Sequence, residues 1–223
     1  WYHYFMDMWA NGSSFVVNTW SSWYIAIYNW SKYLYNNSVV IPENQWHHLA
    51  LVRSGASVTW YLNWTSFGSY DISSWDVFGR SNQIVSIWRY WWDLNYNFPW
   101  YIDEFRISKW VQRWTSDFTP DTTPYSSDTN TSLLLHAEWD SSIWWGHELA
   151  FVWVQWDSLN WKFWWAYKFD WVGSYITIPA NADFDFWSWD FTIDLWFNQT
   201  TPWYSYIIDR KSTRLNYSHT VIS

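Results

Sequence analysis

Residues 169–198 read FDWVGSYITIPANADFDFWSWDFTIDLWFN. Apolar residues alternate with polar ones at 175–178 and at 191–197, which is the period of half-buried β-strands. Trp187 and Trp189 stand between these predicted strands, where the chain has to turn. Tight turns favour Gly, Asn or Asp, because a bulky side chain is strained at positive φ. Tryptophan therefore occupies positions where glycine is expected.

The same anomaly recurs along the whole chain. The sequence holds 28 Trp and only 6 Gly, although Gly averages about 7% of residues in proteins. If Trp is read as Gly, several dipeptides become the turn signals Asn-Gly, Pro-Gly and Gly-Gly. These dipeptides lie at 29–30, 63–64, 91–92, 99–100, 144–145, 160–161, 164–165 and 202–203.

We hypothesise that the gene encodes glycine with UGA codons and that these codons were translated as tryptophan. Three tryptophans lie inside strand patterns and are expected to be true tryptophans, namely Trp46, Trp114 and Trp196, whereas Trp60 is ambiguous. A genuinely tryptophan-rich protein is the alternative. The codon hypothesis predicts that the suspect tryptophans lie in turns or at strand ends, exposed or awkwardly packed, and that Trp46 and Trp196 are buried between the sheets. The suspect positions chosen for this test are Trp30, Trp64, Trp100, Trp171, Trp187 and Trp189.

The end of the chain has a separate explanation. DRKSTRLNYSHTVIS at 209–223 matches DRKSTRLNSSH, the translation of a short-read sequencing adapter, apart from Tyr217, which one base change explains. We exclude residues 210–223 from fold reasoning as adapter-derived. Without Arg210, Lys211 and Arg214 the formal net charge moves from −8 to −11.

Composition excludes several classes of protein. The acidic balance argues against a nucleic-acid partner. No apolar run reaches the roughly 18 residues that predict membrane insertion. The chain has no Cys, so neither a disulfide framework nor a Cys-based metal site is expected.

The order of patterns predicts an all-β protein with a break in the middle. Short alternating runs separated by turn signals extend from residue 2 to residue 108 and resume from 133 to 198, and no segment shows a sustained helical period. Residues 117–132 are polar, contain two prolines and are predicted to be a linker. WYHYFMD at 1–7 resembles WYSYIID at 203–209, and an offset of about 202 residues suits tandem whole domains. Chance similarity of aromatic strands is the alternative.

Four stretches together resemble a known family of domains. ENQWHHLALVRSGASVTWYLNW (43–64), WYIDEFRISKWVQRWTSDFTPDTTPY (100–125), SLLLHAEW (132–139) and YKFDWVGSYITIPANADFDFWSWDFTIDLWFN (167–198) are similar to laminin-G-like, concanavalin A-like domains. The version they resemble occurs in tandem in phage tail and bacterial surface proteins. This sequence departs from the family pattern by carrying Trp where the family has Gly, at Trp64, Trp100, Trp110, Trp171, Trp187 and Trp189.

The resemblance implies an antiparallel jelly-roll β-sandwich and a domain division. Residues 1–116 would be the C-terminal part of one laminin-G-like domain, 117–132 the linker, and 133–209 the N-terminal part of the next domain. We expect these two parts to pack on each other as a permuted sandwich.

The resemblance also implies a function. We expect a non-catalytic recognition or adhesion module that binds a glycan or another surface, such as a cell-surface or virion protein. It would belong to a larger tandem phage-tail or cell-surface protein and lie outside the cell, on its surface or on a virion. The alternative is a structural spacer repeat with no ligand of its own. An enzyme is not expected, because fold alone does not define function and the candidate catalytic residues are weak.

Three pairs of residues carry the candidate chemistry. His47 and His48 are adjacent in a predicted strand and should point to opposite faces, which disfavours a shared metal. The same argument applies to Asp103 and Glu104, one of which is predicted to be a surface or turn anchor. Asp190 and Asp194 share a face, as do the paired carboxylates of sandwich glucanases, but the Glu residues of that motif are missing.

Two loops carry oxygen-rich side chains that could bind calcium, which takes six to eight oxygen ligands. Asp93, Asn95 and Asn97 form the first candidate site, and Asn181, Asp183 and Asp185 form the second. Loop Asx residues also serve turns, which is the alternative for both sets. Calcium is the only cofactor that the sequence suggests.

Overall fold

The computed structural model describes residues 6–8, 13–14, 25–29, 32–36, 41–72, 85–87, 100–137, 149–170 and 173–200. Apart from one turn of 3₁₀-helix at Ala182–Phe184, the regular elements in these ranges are β-strands. In chain order the strands are β1 (Met6–Met8), β2 (Ser13–Ser14), β3 (Ile25–Asn29), β4 (Lys32–Asn36), β5 (Trp46–Ser54), β6 (Ser57–Leu62), β7 (Thr65–Asp71), β8 (Val85–Ile87), β9 (Trp100–Lys109), β10 (Thr131–Leu135), β11 (Ala150–Val152), β12 (Gln155–Asp157), β13 (Ala166–Phe169), β14 (Tyr175–Ile178) and β15 (Phe191–Gln199).

The strands form antiparallel sheets that pack together, so the predicted all-β sandwich is confirmed. The large sheet has the order β12-β13-β9-β15-β5-β6-β7, and β10 pairs with the remaining length of the edge of β9 that carries β13. A four-stranded sheet has the order β1-β8-β14-β11, and a three-stranded sheet has the order β2-β3-β4.

The two parts of the chain share both of the larger sheets. β15 pairs with β5 on one side and with β9 on the other, and β14 pairs with β8. Strands from both parts of the chain therefore lie side by side in the same sheets.

The main core lies between the large sheet and the four-stranded sheet. Alternate residues of β15, from Phe191 to Phe197, point into it, together with residues of β5, β8, β9 and β14. Each fully buried side chain of this size contributes about 1.5–3 kcal/mol relative to an exposed one. Strand alternation is thus the signal that the sequence carried, and the core is built from it.

The outer face of the large sheet is covered by residues 110–130, which connect β9 to β10 and are called the strap here. Tyr125 of the strap is buried and packs with Leu134 and Trp196. Trp114 and Phe118 stack on each other with ring centroids 4.0 Å apart and cover Ala50 and Val52 of β5. The predicted linker 117–132 is therefore packed against the sheet over part of its length.

The tryptophans follow the codon hypothesis in part. Trp64 lies in a turn, Trp189 lies in a bend and Trp187 forms an isolated β-bridge directly before a turn, and all three are exposed, as predicted. Trp100 does begin a strand, but it is only 3% exposed and stacks on Phe197, so the expectation of exposure is wrong for it. Trp30 and Trp171 lie outside the described residues.

The prediction for the true tryptophans was also only partly right. Trp196 is buried, but it packs under the strap on the outer face rather than between the sheets. Trp46 is half-buried and lies against the same outer cluster. Both side chains point away from the main core because their neighbours in the strands, such as Leu195 and Phe197, already point into it.

Candidate functional site

A buried polar network lies between the large sheet and the strap, and Asp194 of β15 is at its centre. Arg106, on the neighbouring strand β9, donates from Nε to Asp194 Oδ1 at 3.1 Å and from Nη2 to Asp194 Oδ2 at 2.9 Å. His48 Nε2 lies 3.7 Å from Asp194 Oδ2 on the side of β5. Burial raises the pKa of Asp194, but the charge and hydrogen bonds of Arg106, together with the nearby His48, outweigh it, so the pKa lies below its ordinary value. The carboxylate is a paired, charged group with no exposed surface.

Tyr125 joins the strap to this carboxylate. Its hydroxyl hydrogen-bonds to His48 Nε2 at 2.8 Å, and the Arg106 guanidinium lies 4.0 Å from the centre of its ring. Its backbone N–H donates to Glu104 Oε2 at 2.6 Å. A cation over an aromatic ring is attracted by the ring quadrupole, more strongly where water is excluded. Tyr125 is therefore held by residues of two strands, β5 and β9.

Glu104 reaches the strap because β9 contains a bulge. Glu104 has φ of 53°, and the pairing with β15 shifts between Asp194 and Trp196, so that an extra residue of β9 is accommodated there. Glu104 Oε1 lies 2.6 Å from His136 Nδ1, just after β10. The bulge interrupts the alternation on which the opposite-face prediction for Asp103 and Glu104 depended.

Asp103 is the second buried carboxyl of the bulge. Its Oδ1 accepts from Glu104 N at 2.9 Å, and its Oδ2 accepts from Phe163 N at 3.2 Å. Burial and the neighbouring Glu104 charge raise the pKa of Asp103 to about 7, against the opposing effect of the backbone N–H groups. Asp103 and Glu104 are both buried, so neither is a surface anchor, and each instead accepts a hydrogen bond from the backbone of a connecting segment.

The contacts of this network are structural, because they hold loops and strand ends to the large sheet. The network ties the strap through Tyr125, the end of β10 through His136, and the loop after β12 through Phe163. Sequence reasoning missed Arg106, Tyr125 and His136. Arg106 follows Glu104 by two positions in β9, and that proximity was the available signal, but the partner Asp194 lies 88 residues away.

The other two residue pairs considered for chemistry are also engaged within the fold. His47 and His48 do point to opposite faces, as predicted, and His47 Nε2 hydrogen-bonds to the Pro42 carbonyl at 2.8 Å. Burial lowers the pKa of His47 more than its hydrogen bonds raise it. Asp190 accepts from Gly55 N at 2.7 Å, while Asp194 is buried beside Arg106. Asp190 and Asp194 do not therefore line a common open cleft.

The two calcium candidates have different outcomes. Asp93, Asn95 and Asn97 lie outside the described residues. Asn181 caps the single 3₁₀ turn by accepting from Asp183 N at 2.9 Å, and Asp185 closes the other end of that turn. Lys109 Nζ donates to the Ala182 carbonyl in the same turn at 2.7 Å. A positive side chain thus already uses one of the oxygens of this loop, and the described ranges contain no group of three or more His, Cys, Asp or Glu arranged to hold a metal ion.

Exposed tryptophans form the other notable feature of the surface. Four of them adopt positive φ, between 47° and 69°, and are 42% to 76% exposed: Trp64, Trp110, Trp153 and Trp187. Positive φ is uncommon outside glycine and is strained for a bulky residue. These side chains therefore gain little from burial while their backbones adopt a conformation that glycine favours.

Comparison with known protein families, with curated proteins and with solved structures returned no match for this chain. Among the residues that the structure describes, no helix is long and apolar enough to cross a membrane.

Proposed function

We propose that this chain is part of a non-catalytic recognition or adhesion module, and that it binds a glycan or another surface component. The module belongs to a larger tandem protein of a phage tail or cell surface, and it works outside the cell or on a virion. The proposal rests on the resemblance of the motifs at 43–64, 100–125, 132–139 and 167–198, together with the β-sandwich that those motifs form.

The observation that carries the non-catalytic part of the proposal is the state of the buried acids. Asp194 is paired with Arg106, and Glu104 is paired with His136 and hydrogen-bonded to Tyr125. A glycosidase needs two carboxyl groups on either side of an accessible bond. Carboxylates that lie under the strap and fasten it are poorly placed for that task, which favours a protein that acts through its surface.

The test is a glycan array probed with two forms of the protein. One form carries Trp at 64, 110, 153 and 187, as in the sequence given, and the other carries Gly at these four positions. We expect the glycine form to bind a defined subset of glycans. A folded glycine form that binds no glycan and no host-surface extract would overturn the proposal. Binding by the tryptophan form alone would indicate that sugars stack on the exposed Trp side chains, as expected for a true tryptophan-rich protein.

A structural spacer is the second candidate, and one observation favours it. The strap is held to the sheet at Glu104, His48 and Arg106 by the contacts of a single residue, Tyr125. A repeat that extends a fibre benefits from such fastening without needing a ligand. If the protein is a spacer, the folded glycine form would bind no glycan on the array.

Calcium is proposed as the cofactor of the recognition module, with the loop of Asp93, Asn95 and Asn97 as its site. Support comes from the sequence alone, since oxygen-bearing side chains at every second position are suitable calcium ligands.

A further inference from the structure

β15 is an interior strand contributed by the far part of the chain. It pairs with eight residues of β5 from Trp46 to Arg53 and with β9 from Trp100 to Lys109. All nine of its residues are buried. The strand fills a groove between β5 and β9, which do not pair with each other directly.

The groove matches β15 on both faces. Phe191 and Phe197 enter the main core, and Trp196 enters the outer cluster. Asp194, between them, meets the guanidinium of Arg106 on β9 and the imidazole of His48 on β5. The receptor strands therefore offer apolar contacts on one side and a positive group for one carboxylate on the other.

We call the chain before the strap, which contains β5 and β9, the receptor part, and residues 131–199, which contain β15, the donor part. The strap is the single connection between them. Residues 121–123 in the middle of the strap are exposed. The strap contacts on either side of them, at Phe118 and Tyr125, are made with the sheet. Opening the strap at its middle would leave each side fastened to the sandwich.

We propose that residues 131–199 are an exchangeable donor segment, and that the groove between β5 and β9 accepts this segment from a second copy of the chain. The sequence after the donor supplies the reason: WYSYIID at 203–209 resembles WYHYFMD at 1–7, which precedes β5 and β9 in the chain. In a tandem protein, each donor would then have a receptor before it and another after it. This inference rests on the tandem organisation in the proposed function. Under it, successive repeats of the protein would be linked to one another by strand exchange.

The test uses two full-length chains that differ only in their tags. Each carries a protease site inserted at 121–123; one has an N-terminal affinity tag and the other a C-terminal epitope. Both chains are cleaved, mixed at equal concentration, unfolded in urea and refolded together. We expect the affinity tag to capture the epitope-bearing donor piece, with about half of the captured receptors holding it by mass action.

A donor variant makes the result specific to β15. Ile193→Asp on the epitope-tagged chain places a charge in the core and should reduce capture at least tenfold, whereas Asp190→Asn, just before the strand, should leave it within twofold. The receptor piece is unchanged in both mixtures. Failure of the affinity tag to retain any donor piece, its own or the other chain's, while uncleaved chain refolds under the same conditions, would overturn the proposal. Equal capture of the Ile193→Asp donor would overturn it as well.

The assay is independent of ligand binding. A glycan array without binding would not contradict strand exchange, and loss of capture would not contradict glycan recognition. The two proposals therefore fail separately.

Discussion

Asn63 and Trp64 are the two residues of the loop that joins β6 to β7, and both have positive φ, at 47° and 69°. A two-residue hairpin loop with positive φ at both positions is a type I′ turn, for which Asn-Gly is strongly preferred. The structure thus gives the Asn-Trp dipeptide the conformation of an Asn-Gly turn. This relationship is the strongest structural support for glycine at the suspect positions.

Replacing Trp64 by Gly should stabilise the protein. Relief of the strained backbone is worth about 1–2 kcal/mol, and the half-exposed indole loses little on removal. Trp64→Ala is the matched control, because alanine removes the indole but keeps the strained backbone. Urea unfolding should rank the free energy of unfolding as Gly above Ala; an equal or reversed order would contradict the account.

The opposite result is expected at Trp60, which is buried in the main core and stacks on Phe67. Trp60→Gly removes a large buried side chain and should cost at least about 3–5 kcal/mol. The same urea titration measures this loss. A neutral outcome would mean that the core near β6 is not packed as described.

Asp194→Asn should be strongly destabilising, because it leaves the buried Arg106 guanidinium without its counter-charge. Breaking one partner of a buried ion pair costs about 3–5 kcal/mol. Asp190→Asn is the matched control: Asp190 is half-buried and keeps an acceptor for Gly55 N, so a loss below about 1 kcal/mol is expected. Similar losses for the two variants would show that the Arg106 pair contributes little.

Asp103 should make stability fall as the pH rises from about 4 to about 7. Its pKa is about 7 in the folded protein and lies near 3.9 in an unfolded chain, so the folded state binds the proton more tightly. The stabilisation is complete below the unfolded pKa and is lost as the pH rises through the folded pKa, by up to about 1.4 kcal/mol per pH unit.

The measurement is the difference in free energy of unfolding between the parent protein and Asp103→Asn at pH 5 and at pH 8. The variant cannot ionise at this position, so its free energy of unfolding should rise relative to that of the parent between pH 5 and pH 8. A constant difference across this range would show that Asp103 does not titrate there.

Calcium should raise the thermal midpoint through the loop at 93–97 rather than the turn at 181–185. Lys109 already donates to the Ala182 carbonyl in the second loop, and its charge opposes a cation there. Asp93→Asn should therefore abolish the calcium-dependent shift, and Asp183→Asn should preserve it. Thermal melts in calcium and in chelator decide this, and no shift in the parent protein would remove calcium from the account.

The sequence predicted the strands well because alternation is a local signal. The bounds of β14 match the alternating run at 175–178, and β15 extends the run at 191–197 by two residues. The short strands β11 and β12 were not predicted. They are three residues each and surrounded by suspect tryptophans, so no period is visible there.

The buried network was less predictable for a physical reason. Strand alternation places adjacent side chains on opposite faces, but the bulge at Glu104 breaks that rule within β9. The partners of the bulge also come from distant parts of the chain, since Glu104 meets Tyr125 and His136 while Arg106 meets Asp194. Sequence distance hides such contacts, and the composition of residues 117–132 indicated only a polar linker.

Sequencing the source DNA would show which codons encode Trp64, Trp110, Trp153 and Trp187, and so whether these residues are glycine in the natural protein. We expect UGA at all four positions, because each residue has the positive φ that glycine favours. UGG at these positions would contradict it: the tryptophans would then be real, and binding of ligands to exposed aromatic side chains would become the leading function.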